Sequence, residues 1–389
     1  MDDVEATAMV AQQDTVVSDL RARLARVQAA MAERGLGGLL LYESGQHTML
    51  RMNQVQYLTD VRVLGPHAVL VVPPRGEPTL LVTPRWDYAR VRETTWLANV
   101  EAIEADELPA RVALHASDLH DPLGLGGQRG MPVAFARALG VALGREPHDA
   151  DNLVPGLGVT RTPVELERIG RAAAIADQGF AALCEAAEVG VREHELAAAV
   201  ESAMLRAGAE DNFGLIGAGA HNVAIRAPQH RALERGDVII GEITPCYQGY
   251  LAQLCRTFIL GQPTPLQQEK YDLLMRAYEA GRAVALPGRP SGEIARAINA
   301  VIGAAGYEEY CRPPYMRTRG HSLGFGAVVP YDITDDSSPV LVEGMTFIIH
   351  PNQYLPETGY MMLGDTVVIR ADGPESLTQT PVRLYWKDA

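Results

Sequence analysis

Three imidazoles, a carboxylate, an amide and a thiol stand where the second half of this chain can do chemistry: His221, His321, His350, Glu242, Gln253 and Cys255. Glu242 and Gln253 lie in two strand-like runs on either side of the turn Gly249-Tyr250, eleven residues apart. Strand alternation places residues i and i+2 on one face, so Glu242 shares a face with Thr244, and Gln253 with Cys255 and Thr257. A neutral imidazole, titrating near about 6.5, can take a proton from water and return it to a leaving nitrogen. Glu242, His321 and His350 together supply a carboxylate and two imidazoles, a set suited to one Fe(II), Zn(II) or Mn(II) ion with open positions. They come from distant segments, so only the fold can bring them together. Cys255 has two readings, a thiolate nucleophile beside imidazoles or a small buried apolar filler. Arg256 follows it, faces the other way, and is expected to pair with an acidic residue beneath the sheet.

A chain of 389 residues with 47% apolar and 21% charged residues is long enough for two packed domains. Its net charge of −14 and the lack of a Lys/Arg cluster argue against nucleic acid and anionic membranes as partners. The four cysteines, Cys184, Cys246, Cys255 and Cys311, show no CxxC spacing and are expected as free thiols in a reducing cytoplasm. The start, Met1–Val17, lacks the features of a signal peptide, and no run of about 18 apolar residues suggests a membrane span.

The pieces that must position these side chains are legible as periodic segments. Residues 1–17 are expected to be disordered. Ser18–Arg34 carries helical apolar spacing and stops at Gly35. Gly38–Tyr42, Ala68–Val72 and Thr79–Val82 are short β-rich runs, and a helix is expected near Pro132–Leu143, giving an α/β domain over 18–150. A linker, Asp149–Thr162, leads into Thr162-Pro163, an N-cap followed by a first-turn proline, and so into a long helix reaching about Glu188. Helices at His194–Ala207, Pro265–Ala285 and Ser291–Ala304 alternate with strands near Asp237–Ile243, Leu251–Ile259, Met345–Ile349 and Thr366–Ile369. This repeated pattern predicts an α+β domain over 151–389, with helices covering one face of a curved sheet.

The segment Gly236–Phe258, with Gly320-His321-Ser322-Leu323-Gly324 and Gly344–Pro351, resembles the aminopeptidase P, prolidase and creatinase family over nearly all of residues 18–380. The resemblance implies a small N-terminal domain, a pseudo-symmetric C-terminal pita-bread domain with its pocket in the concave sheet, and a homodimer. Prolidases put Asp where this chain has Glu242 and Gln253, and Glu where it has His350 and Gly364; only His321 is retained. A bridged ion pair needs several anionic oxygens, so the resemblance leaves too few ligands for the usual two-metal peptidase.

Gly219-Ala220-His221-Asn222 is similar to the creatinase stretch that carries its catalytic histidine, so His221 inherits a general acid/base role by resemblance. The creatinase glutamates fall at Cys255 and His350, and its guanidino-site arginine is absent near Thr334. These readings lead to the expectation of a metal-independent, creatinase-like hydrolase of a C–N bond in a small carboxylated amide or amidine. In it His221 acts as general acid/base, His321 and His350 stabilise negative charge, and Glu242 orients. Gln253, Cys255, Tyr354 and His230 line the substrate site. No cofactor is expected, and Xaa-Pro peptidase activity is not. Two alternatives stand beside it: a single-metal enzyme using Glu242, His321 and His350 with Fe, Mn or Zn, and a peptidase-shaped binding module without catalysis.

Overall fold

A computed structural model describes residues 3–45, 52–326 and 331–388. The chain divides into two compact units, Met1–Val159 and Thr160–Ala389, against the expected division after residue 150.

The first unit contains helices α1 (Asp3–Glu33), α2 (Gln54–Thr59), α3 (Tyr88–Thr94), α4 (Leu108–Ala116), α5 (Val133–Leu143) and α6 (Leu153–Leu157). Its strands are β1 (Gly38–Glu43), β2 (Ala68–Val72), β3 (Thr79–Val82), β4 (Asn99–Ala102), β5 (Leu123–Gly126) and β6 (His148–Asp149). They form one mixed sheet in the order β4-β3-β2-β1-β5-β6. Two differences from expectation have local causes. Helix α1 starts at Asp3 rather than Ser18; the intervening residues include three Ala and two Gln and hold no Gly or Pro to break it. Helix α6 lies inside the presumed linker, where burial of Leu153 and Val154 outweighs the breaking tendency of Pro155 and Gly156.

The second unit opens with α7 (Pro163–Ala186) and α8 (Glu193–Arg206), followed by β7 (Asp211–Gly219), β8 (Val238–Tyr247), β9 (Tyr250–Leu251) and β10 (Leu254–Leu260). The pattern then recurs with α9 (Pro265–Val284), α10 (Gly292–Ile302), β11 (Gly320–Ser322) and β12 (Thr346–Ile349). It ends with a hairpin, β13 (Gln353–Leu355) and β14 (Gly359–Met361), and then β15 (Gly364–Arg370), β16 (Gly373–Ser376) and β17 (Tyr385–Lys387). Thr162 accepts from the Glu165 amide while Glu165 returns a bond to Thr162, a capping box that starts α7 where the Thr-Pro signal placed it. Thr264 and Gln267 repeat the device at α9.

The large sheet runs β11-β12-β15-β10-β8-β7, so each half of the repeat contributes three antiparallel strands. The halves join where β10 meets β15, through the pairs Leu254↔Asp365 and Cys255↔Gly364. Phe180 and Leu183 of α7 pack with Val200 and Met204 of α8 against Ile239, Ile243, Leu254 and Phe258, forming the core beneath one half. Gln253, Cys255 and His350 lie at or beside the β10–β15 seam, with Glu242 on the neighbouring strand β8.

Candidate active site at the seam of the sheet

Register sets the site. Glu242 of β8 stands opposite Cys255 of β10, which stands opposite Gly364 of β15. The adjoining pair Ile349↔Asp365 brings His350 beside Gly364. A Cβ on Gly364 would lie 2.6 Å from the His350 Cβ, so these two positions exclude a longer side chain at 364. One residue further along, Asp365 turns to the opposite face, where it accepts from Arg256 at 2.6 Å, Tyr278 at 2.7 Å and Thr378 at 2.7 Å. The same Arg256 donates to the carbonyls of Cys255 (2.9 Å) and Gly364 (2.8 Å). A fully buried ion pair thus clamps the seam from beneath, as the direction of Arg256 predicted.

On the pocket face, burial raises the Glu242 carboxyl from its usual 4.5 to about 7, partly offset by a hydrogen bond from Gln253. With its amide nitrogen turned to Glu242, Gln253 leaves Oε1 buried and without a protein partner; Thr244 Oγ1 is likewise unpartnered. Extending the Leu254↔Ile243 register by one step puts Gln253 across from Thr244. Three oxygens therefore stand at neighbouring positions on one face of the sheet.

Across the seam, His321 Nδ1–H donates to the Ser322 carbonyl at 3.0 Å, which fixes the tautomer and leaves Nε2 as an acceptor. Its ring meets that of His350 edge-on, with centroids 5.8 Å apart. Burial lowers the titration of both, and His321 adds to the shift at His350, which falls to about 3. Both are neutral imidazoles at neutral pH, and His350 Nδ1 has no protein partner. Cys255 is fully buried and its thiol is pushed well up by burial and by Glu242, so it stays protonated as a small filler. Its one polar contact is the Asn352 amide at 3.9 Å.

The remaining residues singled out in the sequence stand elsewhere. His221 is exposed on the loop after β7; its Nε2–H donates to the Pro356 carbonyl at 2.9 Å, and its ring meets Tyr354 edge-on at 5.7 Å. Buried Glu193 organises that loop, accepting from Arg226, Gln229 N and Ala218 N. His230 is exposed at the loop's far end, stacked on His194 at 4.8 Å. Tyr354 is half-buried on β13.

Two residues that sequence reasoning missed complete the wall. Tyr360 of β14 pairs across the hairpin with Tyr354, hydrogen-bonds Asn352, and is held protonated by burial and by neighbouring Glu242. Arg319, fully buried, donates to Asn299 Oδ1 (2.7 Å), the Asn352 carbonyl (3.0 Å) and Gln353 Oε1 (2.8 Å), holding the corner after β12. Tyr360 left no signal in the sequence, because each strand of this hairpin is three residues long and too short to show a period. Gly359, at φ +78°, is required there because a Cβ would come within 2.6 Å of the Asn222 carbonyl oxygen.

Sheet order and site geometry define a pita-bread domain that follows a small α/β domain in the chain. Residues 167–371 match metallopeptidase family M24 and residues 23–157 match the creatinase/prolidase N-terminal domain. The chain belongs to family M24. Among its relatives, an Xaa-Pro dipeptidase of Pyrococcus furiosus is 28% identical over 85% of this chain and 92% of its own length. A probable dipeptidase PepE of Mycobacterium tuberculosis is 28% identical over 93% and 95%. The solved prolidase from Pyrococcus horikoshii superposes with a TM-score of 0.81 at 24% identity, covering 92% of this chain and 99% of that one.

These findings correct two expectations. A metal-independent hydrolase acting on non-peptide C–N bonds is overturned, since the family and the named relatives are peptidases. The relatives' names likewise remove the ground for discounting Xaa-Pro peptides. A cofactor-free centre is overturned as well, because the family is one of metallopeptidases. The donor set nevertheless disagrees with a pair of bridged cations. Gln253 is neutral, Gly364 offers no donor, Asp365 faces away, and among the described residues no group of three His, Cys, Asp or Glu side chains converges. Glu242, His321 and His350, the single-ion set considered from the sequence, are thus not grouped closely among the described residues. Two bridged divalent ions need more anionic oxygens than this seam provides, and no chemical step is assigned to a metal here.

Proposed function

We propose that this protein is a hydrolase of short peptides, with Xaa-Pro dipeptides as the first substrates to test. The observation that carries the proposal is the trio of acceptors at the pocket floor: the Glu242 carboxylate, Gln253 Oε1 and Thr244 Oγ1. A peptide α-ammonium has three N–H donors and one positive charge, which match three neighbouring oxygens of which one ionises. Where prolidases carry metal-binding aspartates, this chain keeps acceptors that suit the substrate's own cation. His350, neutral and with Nδ1 free of any protein partner, lies across the seam, where that nitrogen can donate to the carbonyl or carboxylate of the peptide. The end-to-end similarity to named dipeptidases supports the same substrate class.

The test is proline release from alanyl-proline and methionyl-proline at pH 7.5, with EDTA or with added Mn, Co or Zn. Release under any of these conditions supports the reading. Peptide binding with no release under all of them overturns hydrolysis, and absence of binding overturns the substrate class. A homodimer in the cytoplasm is the proposed setting; the four free thiols accord with a reducing compartment, and no helix among the described residues is long and apolar enough to cross a membrane. Light scattering at micromolar concentration tests the dimer.

A further inference from the structure

Beside the pocket, where the β13–β14 hairpin meets the segment after α10, four tyrosines gather in one patch. The Tyr310 and Tyr315 ring centroids are 4.8 Å apart, Tyr315 stacks on Tyr354 at 5.4 Å with a 14° tilt, and Tyr310 reaches Tyr354 at 5.8 Å. Tyr307 adjoins Tyr310 at 6.3 Å. This patch is more than core packing, since Tyr315 is 42% exposed and Tyr310 and Tyr354 are half-buried.

Carboxylates flank it and bind its hydroxyls. Tyr307 donates to Glu357 at 2.6 Å, and Tyr310 hydrogen-bonds Glu309, a bond that together with burial and the charge of that carboxylate pushes the phenol up to about 12. Phenols that donate to carboxylates present electron-rich faces, which attract cations. One ring of the patch already holds one: the Lys270 ammonium lies 5.2 Å from the Tyr307 centroid. Among the described residues, the rings of Tyr310, Tyr315 and Tyr354 carry no such partner. The nearby arginines are tied elsewhere, Arg312 to Glu308 and Arg317 to Asp332. Through the Tyr354↔Tyr360 pair, the patch continues to the side chain that neighbours Glu242.

We propose that Tyr310, Tyr315 and Tyr354 form a subsite for a cationic side chain, so that the pocket favours short peptides carrying Arg or Lys. The inference rests on the peptide reading above and adds a charge preference that the pocket floor alone does not supply. The charge complementarity is local, from Glu309 and Glu357, and general, from a net charge of −14.

Calorimetric titration of arginyl-proline, citrullyl-proline and glutamyl-proline tests it, since citrulline keeps the shape of arginine and lacks its charge. The wild-type protein is expected to bind arginyl-proline about three- to tenfold more tightly than citrullyl-proline, as cation–π contacts at a half-exposed site imply. Glutamyl-proline binds most weakly. In Tyr315→Leu, at an exposed position where folding is not at risk, the arginyl preference falls below about twofold. Tyr310→Phe keeps the ring but loses the Glu309 bond, and retains part of it. Equal affinities for arginyl- and citrullyl-proline, or a preference unchanged in Tyr315→Leu, overturn the subsite and leave the peptide reading standing. Failure of all three peptides to bind removes both.

Discussion

Glu242→Gln isolates the electrostatic state of the pocket floor. Burial raises this carboxyl from 4.5 to about 7, so between those values the folded protein holds a proton that the unfolded chain has released. Stability from this group is therefore fully present below pH 4.5 and is lost as pH rises through about 7. The full difference, 2.5 pK units at 1.36 kcal/mol each, is about 3.4 kcal/mol. Integrated from pH 5 to pH 8, the wild type is expected to lose about 2.5 kcal/mol from this site. Glutamine does not titrate, so the variant loses none of that. Urea unfolding of EDTA-dialysed wild type and Glu242→Gln at half-unit steps gives the difference curve, in which all other titrating groups cancel. The variant should gain on the wild type by about 2.5 kcal/mol across the range. Parallel curves would mean that Glu242 ionises as an ordinary surface carboxylate and that the floor is not desolvated.

Arg256→Met leaves Asp365 buried with no cation and releases the carbonyls of Cys255 and Gly364, so a loss of about 3–5 kcal/mol is expected in the urea midpoint; an unchanged midpoint would show that the clamp does not hold the seam. Gly364→Ala forces a Cβ to within 2.6 Å of His350, and overpacking of about 1–3 kcal/mol should appear as a lower melting temperature. For the same reason Gly364→Glu alone cannot restore the prolidase residue without moving β12. Thr162→Ala breaks the capping box of α7 and is expected to destabilise by about 1 kcal/mol, read by urea unfolding.

The sequence carried the frame of this site further than its chemistry. Thr162-Pro163 marked the start of α7, and strand alternation grouped Glu242 with Thr244 and Gln253 with Cys255. Alternation alone turned Arg256 and Asp365 beneath the sheet, where they pair. Three things were not legible. Strand β7, with Gly214, Gly217 and Gly219, has low β-propensity and forms through its nine-position pairing with β8. Tyr360 stayed hidden because a three-residue hairpin strand has too few residues to show a period. The state of the ionisable groups also depends on burial, which spacing does not report: the surroundings of His350 keep its ring neutral to about pH 3. The activity was misjudged for a related reason. The expectation of non-peptide chemistry follows from the missing ligands at Gln253 and Gly364, whereas the family and the named relatives are peptidases.

The measurement that bears most directly on the peptide site is calorimetric binding of alanyl-proline to wild type and Glu242→Gln at pH 5.5 and 7.5. With the carboxyl titrating near 7, wild-type affinity should rise on the order of tenfold between these values, because the ammonium is bound by the ionised form. Glu242→Gln should bind weakly at both. Affinity that is independent of pH and unchanged in Glu242→Gln would contradict a peptide amine at the seam.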